Sequence, residues 1–202
     1  TLTATADQVD GIAVTGEGRL TVNGTATGAT DLSSLSADVV DITGADLTNG
    51  SVTWMTVAAG DELRLTSAQA TGQTIVTAAD PSAVITVSGL ANNVDLANIG
   101  NATATVNATV TGSIDITGNV NLGKVDTYTV SSEQTLTASA DQVDGIVVDG
   151  GGSLTVNGTA TGATDLSSLS ADVVDITGAD LTNGSVTWMT VAADDELRLT
   201  SG

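Results

Sequence analysis

The chain has 202 residues, of which 41% are apolar, and its 24 acidic and 4 basic residues give a formal net charge of −20. Such a charge argues against nucleic-acid binding, because a phosphate backbone would be repelled. With no Cys and no His, the chain has no thiol nucleophile, imidazole base or disulfide. Its apolar runs are too short for a transmembrane helix, so we expect no membrane insertion.

A long internal repeat organises the chain. Residues 1–68 align without gaps to residues 135–202, and only seven of the 68 positions differ. We therefore divide the chain into repeat copy A (1–68), a diverged segment B (69–134) and repeat copy A′ (135–202), expected to form one continuous solenoid. The differing pairs are Thr5/Ser139, Ala13/Val147, Thr15/Asp149, Glu17/Gly151, Arg19/Ser153, Gly60/Asp194 and Ala68/Gly202.

Short stretches of alternating apolar residues follow one another along the chain and predict β-strands. Turn formers such as Asn23-Gly24 and Asn49-Gly50 separate them. No segment has convincing helical periodicity, although Thr30–Asp38 could form one short turn. The apolar–x–apolar triplets are, in order, Ile12–Val14, Leu20–Val22, Val40–Ile42, Val52–Trp54, Leu63–Leu65, Val94–Leu96, Ile114–Ile116 and Val120–Leu122.

The near-absence of aromatic residues favours one of two all-β architectures. There is no Phe, and the aromatic residues are Tyr128, Trp54 and Trp188. A parallel β-solenoid (β-helix) built of tandem repeats buries a thin aliphatic interior and needs few aromatics. Tandem Ig-like β-sandwiches are the alternative, but their cores normally contain aromatic residues. We therefore predict the solenoid, in which a 134-residue unit would hold about six rungs if each took roughly 22 residues.

The run from Thr135 to Gly158, TLTASADQVDGIVVDGGGSLTVNG, resembles repeats of very large bacterial secreted surface proteins, the giant adhesins and surface-layer-type proteins. The resemblance implies an extracellular or cell-surface location and a structural or adhesive role. It also implies that calcium binding is worth testing, since many such proteins bind Ca²⁺.

Aspartates near turns are the candidate calcium ligands, because Ca²⁺ prefers carboxylate and carbonyl oxygens. The specific calcium-roll repeat, Gly-Gly-x-Gly-x-Asp, is absent. The glycines of Gly150–Gly152 are followed by Ser153 and Leu154, without the required Asp. The alternative is that these residues cap turns and keep the surface hydrated. The candidates are Asp7, Asp10, Asp38, Asp41 and Asp46 in copy A and Asp141, Asp144, Asp172, Asp175 and Asp180 in copy A′.

Catalysis is not expected. Arg64 and Arg198 lie in a repeated Asp-Glu-Leu-Arg-Leu-Thr motif, but nothing in the sequence indicates a cleft that would separate the pKa values of two acids. We interpret Arg64 as an ion-pair partner of Asp61 or Glu62.

The expected function is therefore structural: a stalk, spacer, filament or surface-layer element on a prokaryotic cell, with neighbouring repeats and identical chains as partners. The alternative is a glycan- or surface-binding adhesin module. Trp54 and Trp188 are open to two interpretations, as exposed platforms for a sugar or as residues that fill a wider part of the interior.

Overall fold

The chain is a parallel β-solenoid of about nine turns. The computed structural model describes residues 1–119 and 121–200, with 48% of the chain in strands and 6% in helices. Every strand pairing described in it is parallel. The predicted solenoid is thus confirmed, and the sandwich alternative is wrong because Ig-like sheets are antiparallel.

The described residues form sixteen strands and three one-turn helices, each helix directly following a strand. The first part comprises β1 (Leu2–Thr5), α1 (Ala6–Val9), β2 (Val14–Thr25), β3 (Thr30–Asp31), β4 (Leu35–Asp46), β5 (Val52–Thr53), β6 (Glu62–Thr66), α2 (Ser67–Ala70) and β7 (Val84–Ser88). The remainder comprises β8 (Thr105–Val110), β9 (Ile114–Asp115), β10 (Thr127–Val130), β11 (Thr135–Ser139), α3 (Ala140–Val143), β12 (Val147–Thr159), β13 (Thr164–Asp165), β14 (Leu169–Asp180), β15 (Val186–Thr187) and β16 (Glu196–Arg198).

The chain divides into two compact units. The first contains residues 1–88, 94–107 and 121–124, and the second contains, among the described residues, 89–93, 108–119 and 125–200. In the first, one column of paired residues runs Leu2, Leu20, Val40, Leu63 and Ile85. In the second, a corresponding column runs Ile114, Leu136, Leu154, Val174 and Leu197.

The turn lengths follow from these registers and repeat between the two copies. Leu2 pairs with Leu20 as Leu136 pairs with Leu154, and Val39 pairs with Glu62 as Val173 pairs with Glu196. The two copies therefore keep the same turn lengths, although five of their seven sequence differences lie within residues 2–20.

The interior is a stack of aliphatic side chains, one or two per strand and turn. In β6 and β7 buried and half-buried residues alternate strictly, as period-two geometry requires. Leu63, Leu65, Ile85 and Val87 are fully buried. Burying such side chains contributes roughly 1.5–3 kcal/mol each, so the interior gains its stability without a broad aromatic core. The one buried aromatic ring in the described part of the chain is Tyr128, where burial raises the pKa to about 12.

The three helices were not predicted from the sequence. Each is a single turn that follows a strand and begins with a capping box, in which a Thr or Ser side chain accepts the backbone N–H of a Gln three residues on. The Gln side chain in turn accepts the N–H of the capping residue. The pairs are Thr5 with Gln8, Thr66 with Gln69, and Ser139 with Gln142.

Some details differ from the sequence-based expectations, and some predicted positions lie outside the described residues. Thr30–Asp38 is not helical: it runs from β3 through a turn, closed by the Leu35 N–H donating to the Leu32 carbonyl at 3.1 Å, into β4. Val94–Leu96 is irregular rather than a strand, and in the triplet Ile12–Val14 only Val14 belongs to a strand, the first residue of β2. Val120, the first residue of the last predicted triplet, lies outside the described residues, as do the last two residues of copy A′.

Candidate binding groove beside Trp54

The aspartates predicted as calcium ligands are placed at strand ends and corners, where nine of the ten have described hydrogen bonds. Asp7 Oδ1 accepts the N–H of Thr27 at 2.9 Å, one turn further along. Asp172 lies exposed on β14. The other acceptors, with their backbone donors, are Asp10 (Asp31), Asp38 (Gly18), Asp41 (Thr43), Asp46 (Thr48), Asp141 (Thr161), Asp144 (Asp165), Asp175 (Thr177) and Asp180 (Thr182).

Two of these carboxylates show how the corners are held. The hydroxyl and backbone N–H of Thr48 both donate to Asp46 Oδ1, at 2.7 and 3.1 Å, and hold the pKa of Asp46 below its ordinary value. Burial opposes the ionisation of Asp41, but hydrogen bonds from Thr43 and the Arg19 guanidinium hold its pKa below the ordinary value as well. Both groups are therefore ionised acceptors at neutral pH.

The structure does not gather these carboxylates into a recognisable metal site. Within residues 1–119 and 121–200, no group of three or more Asp or Glu residues could hold a metal ion. Calcium binding therefore stays a prediction from the sequence.

The arginines form ion pairs within and between turns. Arg64 Nη2 lies 2.7 Å from Glu62 Oε2, so its partner is Glu62 of the two residues expected. Asp61 is not that partner; burial, followed by the charge of Asp38, raises its pKa. Arg19 pairs with Asp41 from the next turn, a contact that sequence reasoning missed.

A groove beside Trp54 lies on the first unit. Its volume is about 630 Å³, and it lies where β4 ends and the chain passes through β5. Leu47, Val52 and the indole of Trp54 provide its apolar walls. Gly50 forms part of the lining, and a side chain there would clash because its Cβ would approach the backbone N of Ala29 to 2.4 Å.

Polar groups from two successive turns surround this indole. Trp54 Nε1 donates to Gln73 Oε1 at 3.0 Å, which fixes the ring against the next turn. Gln69, which also lines the groove, donates from Nε2 to the carbonyls of Ile42 and Ala45, both at 2.7 Å. The exposed side chain of Asp46 lies at the rim.

A smaller groove of about 380 Å³ occupies the equivalent place in copy A′. It is lined by Asp180, Val186 and Trp188, which correspond to Asp46, Val52 and Trp54. Trp188 is 47% exposed, whereas Trp54 is half-buried.

The interpretation of the tryptophans as interior residues is wrong. Met55 and Val57 point into the interior and are buried, so strand-like alternation directs Trp54 and Thr56 outwards. The period-two rule, applied to the sequence Trp-Met-Thr-Val, was the signal that could have placed the indole on the surface.

No protein-family model, curated protein or solved structure matches the chain significantly. The helices within the described residues are each four residues long, and none qualifies as a membrane span.

Proposed function

We propose that the chain is part of a structural, extracellular repeat protein that forms a stalk, spacer, filament or surface-layer element on a prokaryotic cell. Its mechanism is mechanical: successive turns stack by parallel backbone hydrogen bonds, and each adds about 4.8 Å along the solenoid axis. The outward-facing carboxylates keep this surface hydrated, and the net charge of −20 opposes aggregation.

One observation carries the proposal: the same turns are built twice. Leu20 pairs with Val40 in copy A, and Leu154 pairs with Val174 in copy A′ at the same separation. A module that repeats its register this closely can be multiplied without redesign, because each turn contacts only its neighbours. Length is then set by copy number.

The test is to lengthen the chain by one unit. A second copy of residues 69–202 is appended after Gly202, which is the counterpart of Ala68, so the sequence period is preserved. About six further turns should increase the maximum dimension in small-angle X-ray scattering by about 29 Å. The cross-sectional radius should stay constant, and electron micrographs of the longer chain should show rods. A globular increase in all dimensions would contradict the stalk.

A specific observation favours a second candidate, a glycan- or surface-binding adhesin module. Each repeat copy carries a groove beside an outward-facing Trp. A solenoid that only spaces other domains does not need such a feature. An adhesin would present it once per unit, which turns a weak site into a multivalent one.

A further inference from the structure

The groove beside Trp54 has the size and chemistry of a small-ligand site. Sites of this kind are mostly apolar clefts of roughly 300–1,000 Å³ with a few placed polar groups, and this groove holds about 630 Å³. The indole is half-buried and anchored at Nε1, so it presents a fixed flat surface instead of a mobile side chain. Little conformational entropy is then lost when a ligand stacks on it.

The polar groups around the indole offer both acceptors and donors. Asp46 uses Oδ1 to accept from Thr48, and no bond to its Oδ2 is described, so this oxygen can accept from a ligand. Gln73 accepts from the indole through Oε1, which directs its amide Nε2 as a donor. The exposed hydroxyl of Ser51 can do either.

The polar groups around the indole favour one class of ligand. Asp46 is the one ionisable residue in the lining, and the chain as a whole is strongly acidic, so an anionic ligand would be repelled. A hydroxyl-rich ring with one apolar face matches both the flat indole and the polar groups around it. Its C–H face packs on the indole, and its hydroxyls reach the carboxylate and the amide.

We propose that the groove beside Trp54 binds an uncharged pyranose saccharide, stacked on the indole and hydrogen-bonded to Asp46, Gln73 and Ser51. The inference rests on the adhesin candidate and narrows it to a ligand class. The groove beside Trp188 binds more weakly, because it is smaller, at about 380 Å³, and leaves Trp188 47% exposed.

The experiment is a fluorescence titration of the full chain carrying Trp188→Phe, in which Trp54 is the only indole. Neutral gluco-, galacto- and manno-oligosaccharides, a sialylated oligosaccharide and choline are the probes. We expect saturable quenching or a spectral shift with at least one neutral sugar, and none with the anionic sugar. Saturation by choline without any neutral sugar would overturn the proposal in favour of a cation site.

Matched variants in the two copies locate the binding, measured by sugar-detected NMR saturation transfer. Trp54→Ala and Gln73→Ala should each weaken it by at least about tenfold, whereas Trp188→Ala should leave the affinity nearly unchanged. Gln73→Ala keeps the indole, and circular dichroism melting of every variant separates lost binding from lost folding. Asp46→Asn should weaken binding more than Asp180→Asn. Equal effects of the paired variants would overturn the assignment.

The outcomes also separate this inference from the adhesin function. If the chain adheres to cells or to a glycan array and Trp54→Ala retains that adhesion, the groove is not the site and the adhesin function stands. If the chain binds no neutral saccharide and no surface, both fall. The structural role, tested by scattering, does not depend on either result.

Discussion

A glutamine that links one turn to the turn before it provides a sharp test of how the solenoid is held together. Gln142 Nε2 donates to the carbonyls of Ile116 and Asn119, at 2.7 and 2.9 Å, from the corner of the preceding turn. Gln69 makes the equivalent pair of bonds in the first unit. Gln8 has the same capping box, but no such bonds of its amide nitrogen are described.

The expected cost of replacing each glutamine by alanine follows from this difference. All three variants lose the capping-box bond, which costs about 1 kcal/mol. Gln69→Ala and Gln142→Ala also lose two bonds to corner carbonyls, at a net contribution of about 0.5–1.5 kcal/mol each. Their free energies of unfolding should therefore fall by about 2–4 kcal/mol, against about 1 kcal/mol for Gln8→Ala.

Guanidinium and thermal unfolding, followed by far-UV circular dichroism, measure these costs. Gln8 and Gln69 lie in the same compact unit, so the comparison does not depend on whether the two units unfold together. A difference of about 2 kcal/mol corresponds to a gap of about 4–8 °C in melting temperature. If Gln8→Ala and Gln69→Ala were equally destabilising, the bonds between turns would contribute nothing, and the reasoning would fail.

Three further predictions address crowding, pH and calcium. Gly152→Ala should destabilise the chain by about 1–3 kcal/mol in chemical unfolding, because a Cβ there would lie 2.4 Å from the backbone carbonyl oxygen of Ser131, whereas Gly162→Ala, where a Cβ would meet nothing within 4 Å, should be nearly neutral. Because the turn carboxylates, Asp46 and Asp115 among them, have pKa values below the ordinary 3.8, their stabilisation is present above about pH 4 and lost as the pH falls through the folded-state values. The melting temperature should therefore drop as the pH is lowered from about 4 to about 2. A melting temperature that rises over this range would mean that relief of the repulsion between carboxylates outweighs the loss of these hydrogen bonds. Millimolar calcium should raise the melting temperature more than sodium chloride of equal ionic strength if the sequence-based site exists, and equal shifts would leave only screening.

The fold could be predicted because its determinants are local and repeated. Alternating triplets such as Leu63–Leu65 specify which side chains face inwards, and the lack of Phe limits the width of the interior. The 134-residue repeat indicates a tandem array, which either a solenoid or a string of sandwiches would provide, and the scarcity of aromatic residues favoured the solenoid. These signals need no knowledge of long-range contacts. Strand ends were harder, because corners are set by hydrogen bonds between turns, such as Thr27 N–H to Asp7.

The groove could be anticipated only in part. The sequence marks Trp54 as unusual, and the alternation around Met55 places it outside. What it cannot give is the partner of the indole, since Gln73 lies 19 residues away and meets Trp54 only when the next turn stacks. The same holds for Arg19 and Asp41, 22 residues apart. Residue pairs separated by one turn become visible only once the turn length is known.

The differences between the two copies leave the buried register of the turns unchanged. Four of the seven substitutions fall at alternate positions 13, 15, 17 and 19, just before and within the first part of β2 in copy A and of β12 in copy A′. None of these four residues is buried in either copy. The buried residues beside them are kept: Leu20 pairs with Val40 as Leu154 pairs with Val174. From residue 20 to residue 59 the two sequences are identical. Substitutions thus fall on side chains that the packing of successive turns does not need, while the register that makes the turns stackable does not change.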